Sequence, residues 1–317
     1  MAHIVPLSKV EDKIFNLQKN GMEAGLKIGF PNLDSIYSVK AGTSTVIYGR
    51  PTSGKSQLYF QMLTSLACQG KKSMLMTPET GSVEEIYAEI IQTLTGKRFH
   101  NDSLNYRITE QDLYKVIPFV KDYFYVIDVD EKSPSVDEFI ELTKEGIKDH
   151  DIFTSGFDNW NDLSHGQFNR EDLYIEESIP KINRLARKER VHAFMIWHAR
   201  NPDLPKNGEP PPPPSPFEIK GGSAVYSKAM NLICVDRPLE KTGEGFKQTN
   251  QAMVVVHKFK PKGHGGKGTA KLEFDYFKNC YYENRGERLY LPTPFNGISE
   301  VKEQTNNDIK PLEQAPF

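Results

Sequence analysis

The sequence predicts an α/β fold, a mostly parallel twisted sheet with helices on both faces and an antiparallel edge. Two observations carry the parallel part. Short apolar runs alternate with amphipathic stretches between residues 43 and 197, the pattern of βαβ units. The bare turn "GRPTSGKS" (49–56) joins the first of these runs to its helix. The edge rests on a third observation, that the last apolar runs lie close together with turn residues between them.

Residues 8–20, "SKVEDKIFNLQKN", place Val10, Ile14 and Leu17 at helical spacing and stop at Gly21, a short amphipathic helix. "TSTVIYG" (43–49) reads as a strand and 56–69 as the helix after it. "SMLMT" (73–77) and "SVEEIYAEIIQTL" (82–94) repeat the unit, as do "YFYVIDV" (123–129) and a helix over 135–148. Later strands are expected at 191–197, 231–236, 252–258 and 271–276. The stretch "RNPDLPKNGEPPPPPSPFEIKGG" (200–222) can be neither helix nor central strand, because its prolines lack N–H donors. It reads as a surface linker. The polar end after Pro294 lacks periodicity and reads as a loose tail. There is no internal repeat.

The 317 residues suffice for one large or two modest domains with ample core. No apolar run approaches the roughly 18–20 residues that span a bilayer, so no membrane association is expected. The N-terminus lacks a basic-then-apolar signal pattern, and export is not expected. Cys68, Cys234 and Cys280 are far apart and show no metal-ligand spacing, as in a reducing compartment. A net charge of −2 argues against coating duplex DNA through overall charge, but leaves room for a local basic channel.

The turn 49–56 fits G-x-x-x-x-G-K-[ST]. A polyphosphate needs several N–H donors aimed at one point, and only a loop with little side-chain bulk can wrap it. Gly49 and Gly54 permit that curvature, and Arg50, Pro51, Thr52, Ser53, Ser56 and Gln57 complete the loop. The helix beginning near Lys55 turns its free N–H groups toward the anion. Lys55 is expected to reach the outer phosphates of ATP, and Ser56 to hold Mg²⁺. Hydrolysis also needs a carboxylate near the metal. Asp128 follows the cleaner apolar strand, whereas Asp158 follows "DIFTSGF", which Thr154, Ser155 and Gly156 interrupt. By hydrophobicity alone, Asp128 is favoured.

The ordered set "GLKIGFPNLDSIY" (25–37), "YGRPTSGKSQL" (48–58), "TPET" (77–80), "GFDNWNDLSH" (156–165), "WHARNP" (197–202) and "IKGGSAVYSKAMNLICVDR" (219–237) resembles a RecA-like P-loop NTPase core. More closely, it resembles the helicase half of DnaB-type and Twinkle-type replicative helicases, as found in phage primase–helicases. The phosphate loop alone is shared by many NTPases, and the specific part is "DNWNDL" together with "WHAR" after a strand. The resemblance covers roughly residues 25–285.

The resemblance implies a role for each of several positions. Glu79 corresponds to the glutamate that orients the attacking water, and Asp158 to the metal-linked aspartate, in place of Asp128. His198 corresponds to the polar sensor that links γ-phosphate loss to the DNA-binding loop. Lys258 and Lys260 stand where the family carries a lysine and then an arginine inserted into the neighbouring subunit's nucleotide. Lysine at 260 is a departure, since it offers a point charge without the planar fork, and Arg237 is the other candidate finger. Trp197 is expected in the core. The family's two DNA-gripping loops correspond to 162–172 and 200–222, with Arg200, Lys206 and Lys220 as phosphate contacts.

The expected function is an ATP-driven replicative DNA helicase motor that translocates on single-stranded DNA and unwinds duplex. Its expected assembly is a homo-oligomeric ring, a hexamer, with a primase or other replisome protein as a further partner. The implied division is a linker or docking helix over 1–24, the ATPase domain over 25–294 and a disordered tail over 295–317. No N-terminal primase with zinc-binding cysteines is expected within the chain. The expected location is the cytoplasm of a bacterial or phage-infected cell. A RecA/RadA-like recombination or strand-binding ATPase, and a regulatory ATPase without a nucleic-acid role, are the alternatives.

Overall fold

The computed structural model describes residues 4–100, 106–129, 132–165, 170–200, 209–242, 245–261 and 265–295. Six strands form the parallel part: β1 (Thr43–Gly49), β2 (Ser73–Met76), β3 (Phe124–Val126), β4 (Thr154–Phe157), β5 (His192–His198) and β6 (Asn231–Asp236). Their spatial order is β6-β1-β5-β4-β2-β3, with every neighbouring pair parallel. β7 (Leu239–Thr242) and β8 (Gly245–Gln248) make a separate hairpin. β9 (Gln251–Phe259), β10 (Gly268–Asp275), β11 (Cys280–Asn284) and β12 (Arg288–Tyr290) then extend the sheet antiparallel from β6. The expected antiparallel edge is thus four strands wide.

Helices cover both faces. α3 (Lys55–Cys68), α4 (Val83–Thr95) and α5 (Glu110–Tyr123) pack with Ile47, Phe194 and Ile196 in one core. α6 (Val136–His150), α7 (Glu171–Glu189) and α8 (Gly222–Lys228) pack with Val46, Tyr48, Met195 and Trp197 in the other. Successive residues of β1 and β5 therefore feed opposite cores, which is why these strands read as unbroken apolar runs. Trp197 lies in the core as expected, stacked on Trp160 at 4.1 Å between ring centroids. Ser82, Thr109 and Ser135 start α4, α5 and α6 through reciprocal capping boxes with Glu85, Asp112 and Glu138.

The structure departs from the sequence reading in three places. Pro118 and Pro180 lie inside α5 and α7, the two long helices it passed over. A helix-interior proline costs a hydrogen bond, but in α7 the buried series Tyr174, Ile175, Ser178, Ile179, Ile182 and Leu185 holds the helix on the sheet. The expected strand 123–129 shrinks to Phe124–Val126 at the sheet's edge, and Asp128 lies exposed beyond it. The interrupted segment before Asp158 is instead the central strand β4. Its polar groups are partnered inside: Thr154 Oγ1 donates to Ser73 Oγ at 2.8 Å, and Ser155 Oγ bonds Thr143 Oγ1 at 3.0 Å. Gly156 is required by packing, because a Cβ there would stand 2.4 Å from the Tyr59 hydroxyl.

At the N-terminus, α1 (Glu11–Asn20) buries none of its residues, and Ile4, Leu7, Ile14, Phe15, Leu17 and Met22 are all exposed. The short α2 (Pro31–Asp34) instead buries Leu33. Of the expected tail 295–317, Phe295 instead packs on the Phe119 ring at 5.3 Å between centroids, and residues 296–317 lie outside the described residues. Among the described residues, no helix is long and apolar enough to cross a membrane.

Because α1 adds nothing to the core, removing residues 1–22 is expected to leave the urea midpoint of the remaining chain unchanged. A loss of more than about 2 kcal/mol, the scale of a lost core side chain, would show that α1 packs on its own domain.

Candidate functional site

In a parallel sheet every strand delivers its carboxyl end to the same edge, where ligands bind. That edge collects the loop 50–54 after β1, Glu79 in the 3₁₀ turn Pro78–Thr80 after β2, and Asp158 and Asn159 after β4. It also collects His198, which closes β5, and Asp236, which closes β6.

The loop is clamped from both sides. A Cβ on Gly49 would lie 2.0 Å from the Val235 carbonyl oxygen on β6. Gly54 sits at φ +86°, and a Cβ there would lie 1.8 Å from the Tyr281 hydroxyl on β11. That hydroxyl donates to the Gly54 carbonyl at 3.3 Å. α3 starts directly after, at Lys55, so its unpaired N–H groups face the loop. Lys55 is 4% exposed, and its Nζ donates to the Arg50 carbonyl at 2.9 Å, curled over its own loop. Burial lowers its pKa, and the carboxylates of Asp158 and Glu79 oppose that shift.

Ser56 Oγ donates to Asp158 Oδ2 at 2.5 Å. Asp158 is 1% exposed and its Oδ1 has no hydrogen-bond partner. Burial pushes its carboxyl up to about 6, against the pull of the Ser56 hydrogen bond. A buried carboxylate oxygen without a partner is costly. A hard divalent cation beside it would supply the missing partner and favour the ionised form. The hydroxyl–carboxylate pair therefore fits Mg²⁺ bound together with phosphate oxygens. Ser53 Oγ, also buried and unpartnered, marks a second open polar contact in the loop. Among the described residues, no group of three or more His, Cys, Asp or Glu side chains could hold a metal by itself.

Glu79 Oε2 accepts from Asn159 Nδ2 and lies 3.1 Å from His198 Nε2. The His198 hydrogen bond is the chief reason its pKa is held at about 2. Such a carboxylate stays ionised, accepting hydrogen bonds and orienting a donor rather than storing a proton. Glu79, His198, Lys55, Ser56 and Asp158 are thus brought to one place, as the resemblance implied. Asp128, favoured by strand hydrophobicity, is not part of it.

Other expected loop residues face elsewhere. Arg50 forms a buried ion pair with Asp236 at 2.9 Å, and Gln57 Nε2 donates to the Asn279 carbonyl at 2.7 Å. Pro51 and Thr52 lie exposed at the loop's rim. Lys258 and Lys260 stand at the opposite end of the sheet, beside the start of β6, on the order of 20 Å away at the rise of a strand. Lys258 Nζ donates to the Tyr226 and Ser227 carbonyls near the end of α8. Lys260 lines a cavity of about 300 Å³ with Arg184, Arg187 and Lys228. Neither lysine can reach the phosphate loop of its own chain.

Of the expected DNA contacts, Lys206 lies outside the described residues, as do 166–169 of the first loop. Lys220 pairs with Glu171 at 3.0 Å, which joins the bases of the two loops. Arg200 is exposed, and its backbone N–H donates to the Glu218 carbonyl at 2.8 Å. Sequence reasoning missed the roles of Asn159, Asp236 and Tyr281. It also missed the Arg237 guanidinium lying 5.6 Å over the Tyr276 ring, in the turn that Gln57 holds on α3. Asn159 was legible inside "DNWND", but the other contacts join residues distant in sequence.

No family model matches the chain. It is 26% identical over 272 residues to the Twinkle homolog protein, chloroplastic/mitochondrial, of Arabidopsis thaliana. That match spans 84% of this chain but 37% of the plant protein, little more than a third of its length. A solved ATPase domain superposes with a TM-score of 0.72 at 15% identity, over 89% of this chain and all of that one. A DnaB-like replicative helicase, solved for its interactions with primase, superposes with a TM-score of 0.68 at 17% identity. The superposition covers 88% of this chain and 68% of that one. The fold is therefore that of RecA-like ATPase domains, and the chain is similar to DnaB-type and Twinkle-type proteins.

Asp158→Asn should show the electrostatics directly in the nucleotide-free protein. A carboxyl whose folded-state pKa stands above its unfolded value stabilises the fold only while protonated, and that contribution is lost as pH rises through about 6. The urea-unfolding stability of Asp158→Asn relative to the parent is expected to rise between pH 4 and pH 7.5, by about 1–3 kcal/mol. A difference independent of pH would contradict the assignment.

Proposed function

We propose that the chain is the motor of an ATP-dependent replicative DNA helicase, which translocates on single-stranded DNA and unwinds duplex. The observation that carries this reading is the meeting, at one sheet edge, of the clamped phosphate loop with the Ser56–Asp158 and Glu79–His198 pairs. The N–H groups of the loop and of the first turn of α3 hold the phosphates of ATP, and Lys55 swings from the Arg50 carbonyl to them. Ser56 and Asp158 hold Mg²⁺, which neutralises charge on the phosphate oxygens when bound. Glu79 orients the attacking water. His198, bonded to Glu79 at the root of the 200–222 loop, passes the state of the site to that loop. The Tyr276 ring, flanked by Arg237, offers a face for the base.

The exposed apolar side of α1 docks on a second copy of this chain, and repetition of that contact closes a ring, a hexamer. In that assembly Lys258 and Lys260 approach the neighbour's nucleotide, with Arg184 and Arg187 beside Lys260 supplying guanidinium charge. The loops 162–172 and 200–222 face single-stranded DNA, with Arg200, Lys206 and Lys220 contacting its phosphates. A primase-like replisome protein is the further partner, and the bacterial or phage-infected cytoplasm is the compartment.

Three measurements test this. Lys55→Ala is expected to weaken ATP binding by about 10–100-fold, the scale of a lost charge-assisted hydrogen bond. Glu79→Gln should keep ATP affinity while turnover falls by about 100-fold or more. The parent should hydrolyse ATP faster with an oligodeoxythymidine and displace a strand from a forked duplex. Turnover indifferent to the oligonucleotide would remove the nucleic-acid role, and stimulated turnover without displacement would favour a strand-binding ATPase.

A further inference from the structure

Five consecutive prolines, Pro210–Pro214, run across the same sheet edge as the phosphate loop. Pro211 and Pro214 are buried, whereas Pro210 and Pro212 are exposed. Pro211 and Pro214 thus lie against the protein on either side of a bend at Pro213. Prolines carry no N–H to pair with one another's carbonyls, which leaves those carbonyls open to outside donors.

Two of those carbonyls are taken, both by residues flanking Gly49. The Tyr48 hydroxyl donates to the Pro214 carbonyl at 2.9 Å, and Arg50 Nη2 donates to the Pro212 carbonyl at 2.5 Å. Arg50 is itself held by Asp236, which is 1% exposed. A buried arginine–carboxylate pair is strongly directional, and breaking one partner away is costly. The phosphate loop and the proline run are therefore fastened to each other.

At its far end the run enters the 3₁₀ turn Pro216–Glu218, whose Glu218 carbonyl accepts from the Arg200 N–H. Ala199 and Ile219 form a β-bridge at the same point, and Lys220 reaches Glu171 at 3.0 Å. The run thus ends where the bases of the 162–172 and 200–222 loops meet. A flexible linker would absorb a small displacement by rotating its torsions. Proline's fixed φ makes the segment a semi-rigid spacer that passes the displacement on.

The geometry points to Tyr48 and Arg50 as positioning residues that couple the nucleotide loop, through a bent but stiff proline rod, to the polynucleotide-facing loops. This rests on the function proposed above. Arg50 serves the rod rather than the phosphates, and the prolines serve stiffness.

The test uses the full chain and two variants that replace no residue of the phosphate loop and none of the catalytic carboxylates. Tyr48→Phe keeps the ring and removes the hydroxyl. Pro212→Gly/Pro213→Gly keeps both carbonyl acceptors and softens the rod at its less buried positions. Both should retain nucleotide affinity and unstimulated turnover within about twofold, and Tyr48→Phe should also keep its nucleotide-free affinity for an oligodeoxythymidine within that margin. Stimulation of turnover by the oligonucleotide should fall at least about threefold in Tyr48→Phe, the scale of one hydrogen bond, and further in the double glycine variant.

Undiminished stimulation in the variants, with a stimulated parent, overturns the rod and leaves the proposed function standing. An unstimulated parent overturns both. Unstimulated turnover that falls in step with the stimulated rate marks a merely structural contact and also overturns the rod. If the double glycine variant does not fold, Tyr48→Phe decides alone.

Discussion

The site depends on a loop that has no room to be anything but bare. Gly49 is pressed against the Val235 carbonyl on the parallel side of the sheet, and Gly54 against the Tyr281 hydroxyl on the antiparallel side. A side chain at either position would meet an oxygen at or below 2.0 Å, so the two halves of the sheet jointly set the loop's curvature. The antiparallel extension is thereby part of the site's architecture, since β11 supplies the wall that Gly54 rests on. With the loop's curvature held, α3 begins where its N–H groups can meet an anion, and Ser56 falls opposite Asp158.

The carboxylates on that edge show how environment divides labour between like groups. Asp158 is buried beside a hydroxyl and pushed up to about 6, and it gains from a cation. Glu79 is half-exposed, held by Asn159 and His198, and kept at about 2, so it remains a fixed acceptor. Their opposite shifts fit one group that holds a metal and another that aims a water.

Much of this was legible in the sequence where chemistry is local. The strand–helix alternation and the glycine turn predicted the parallel sheet, and the ordered motifs placed Glu79, Asp158 and His198 correctly on its edge. Apolar patterning failed at β4, whose Thr154 and Ser155 are satisfied by Ser73 and Thr143, partners the pattern cannot see. At α7 the pattern was present but passed over, and packing of Ile175, Ile179 and Ile182 outweighs Pro180. The partners of the Arg50 side chain were illegible for the same reason as those in β4, because Asp236 and the Pro212 carbonyl lie far along the chain. Lys258 and Lys260 illustrate a further limit, because their own chain's site lies at the other end of the sheet.

The most direct measurement is an electron-microscopy reconstruction of the full chain with a non-hydrolysable ATP analogue, Mg²⁺ and an oligodeoxythymidine. The account predicts a ring in which the triphosphate lies on the backbone of 49–56, with the cation between Ser56 and Asp158. Lys258 and Lys260 of each copy should approach the nucleotide of the next, while the strand passes the 200–222 loops. Nucleotide bound away from the 49–56 loop, or a monomer with that nucleotide and no strand bound, would contradict it.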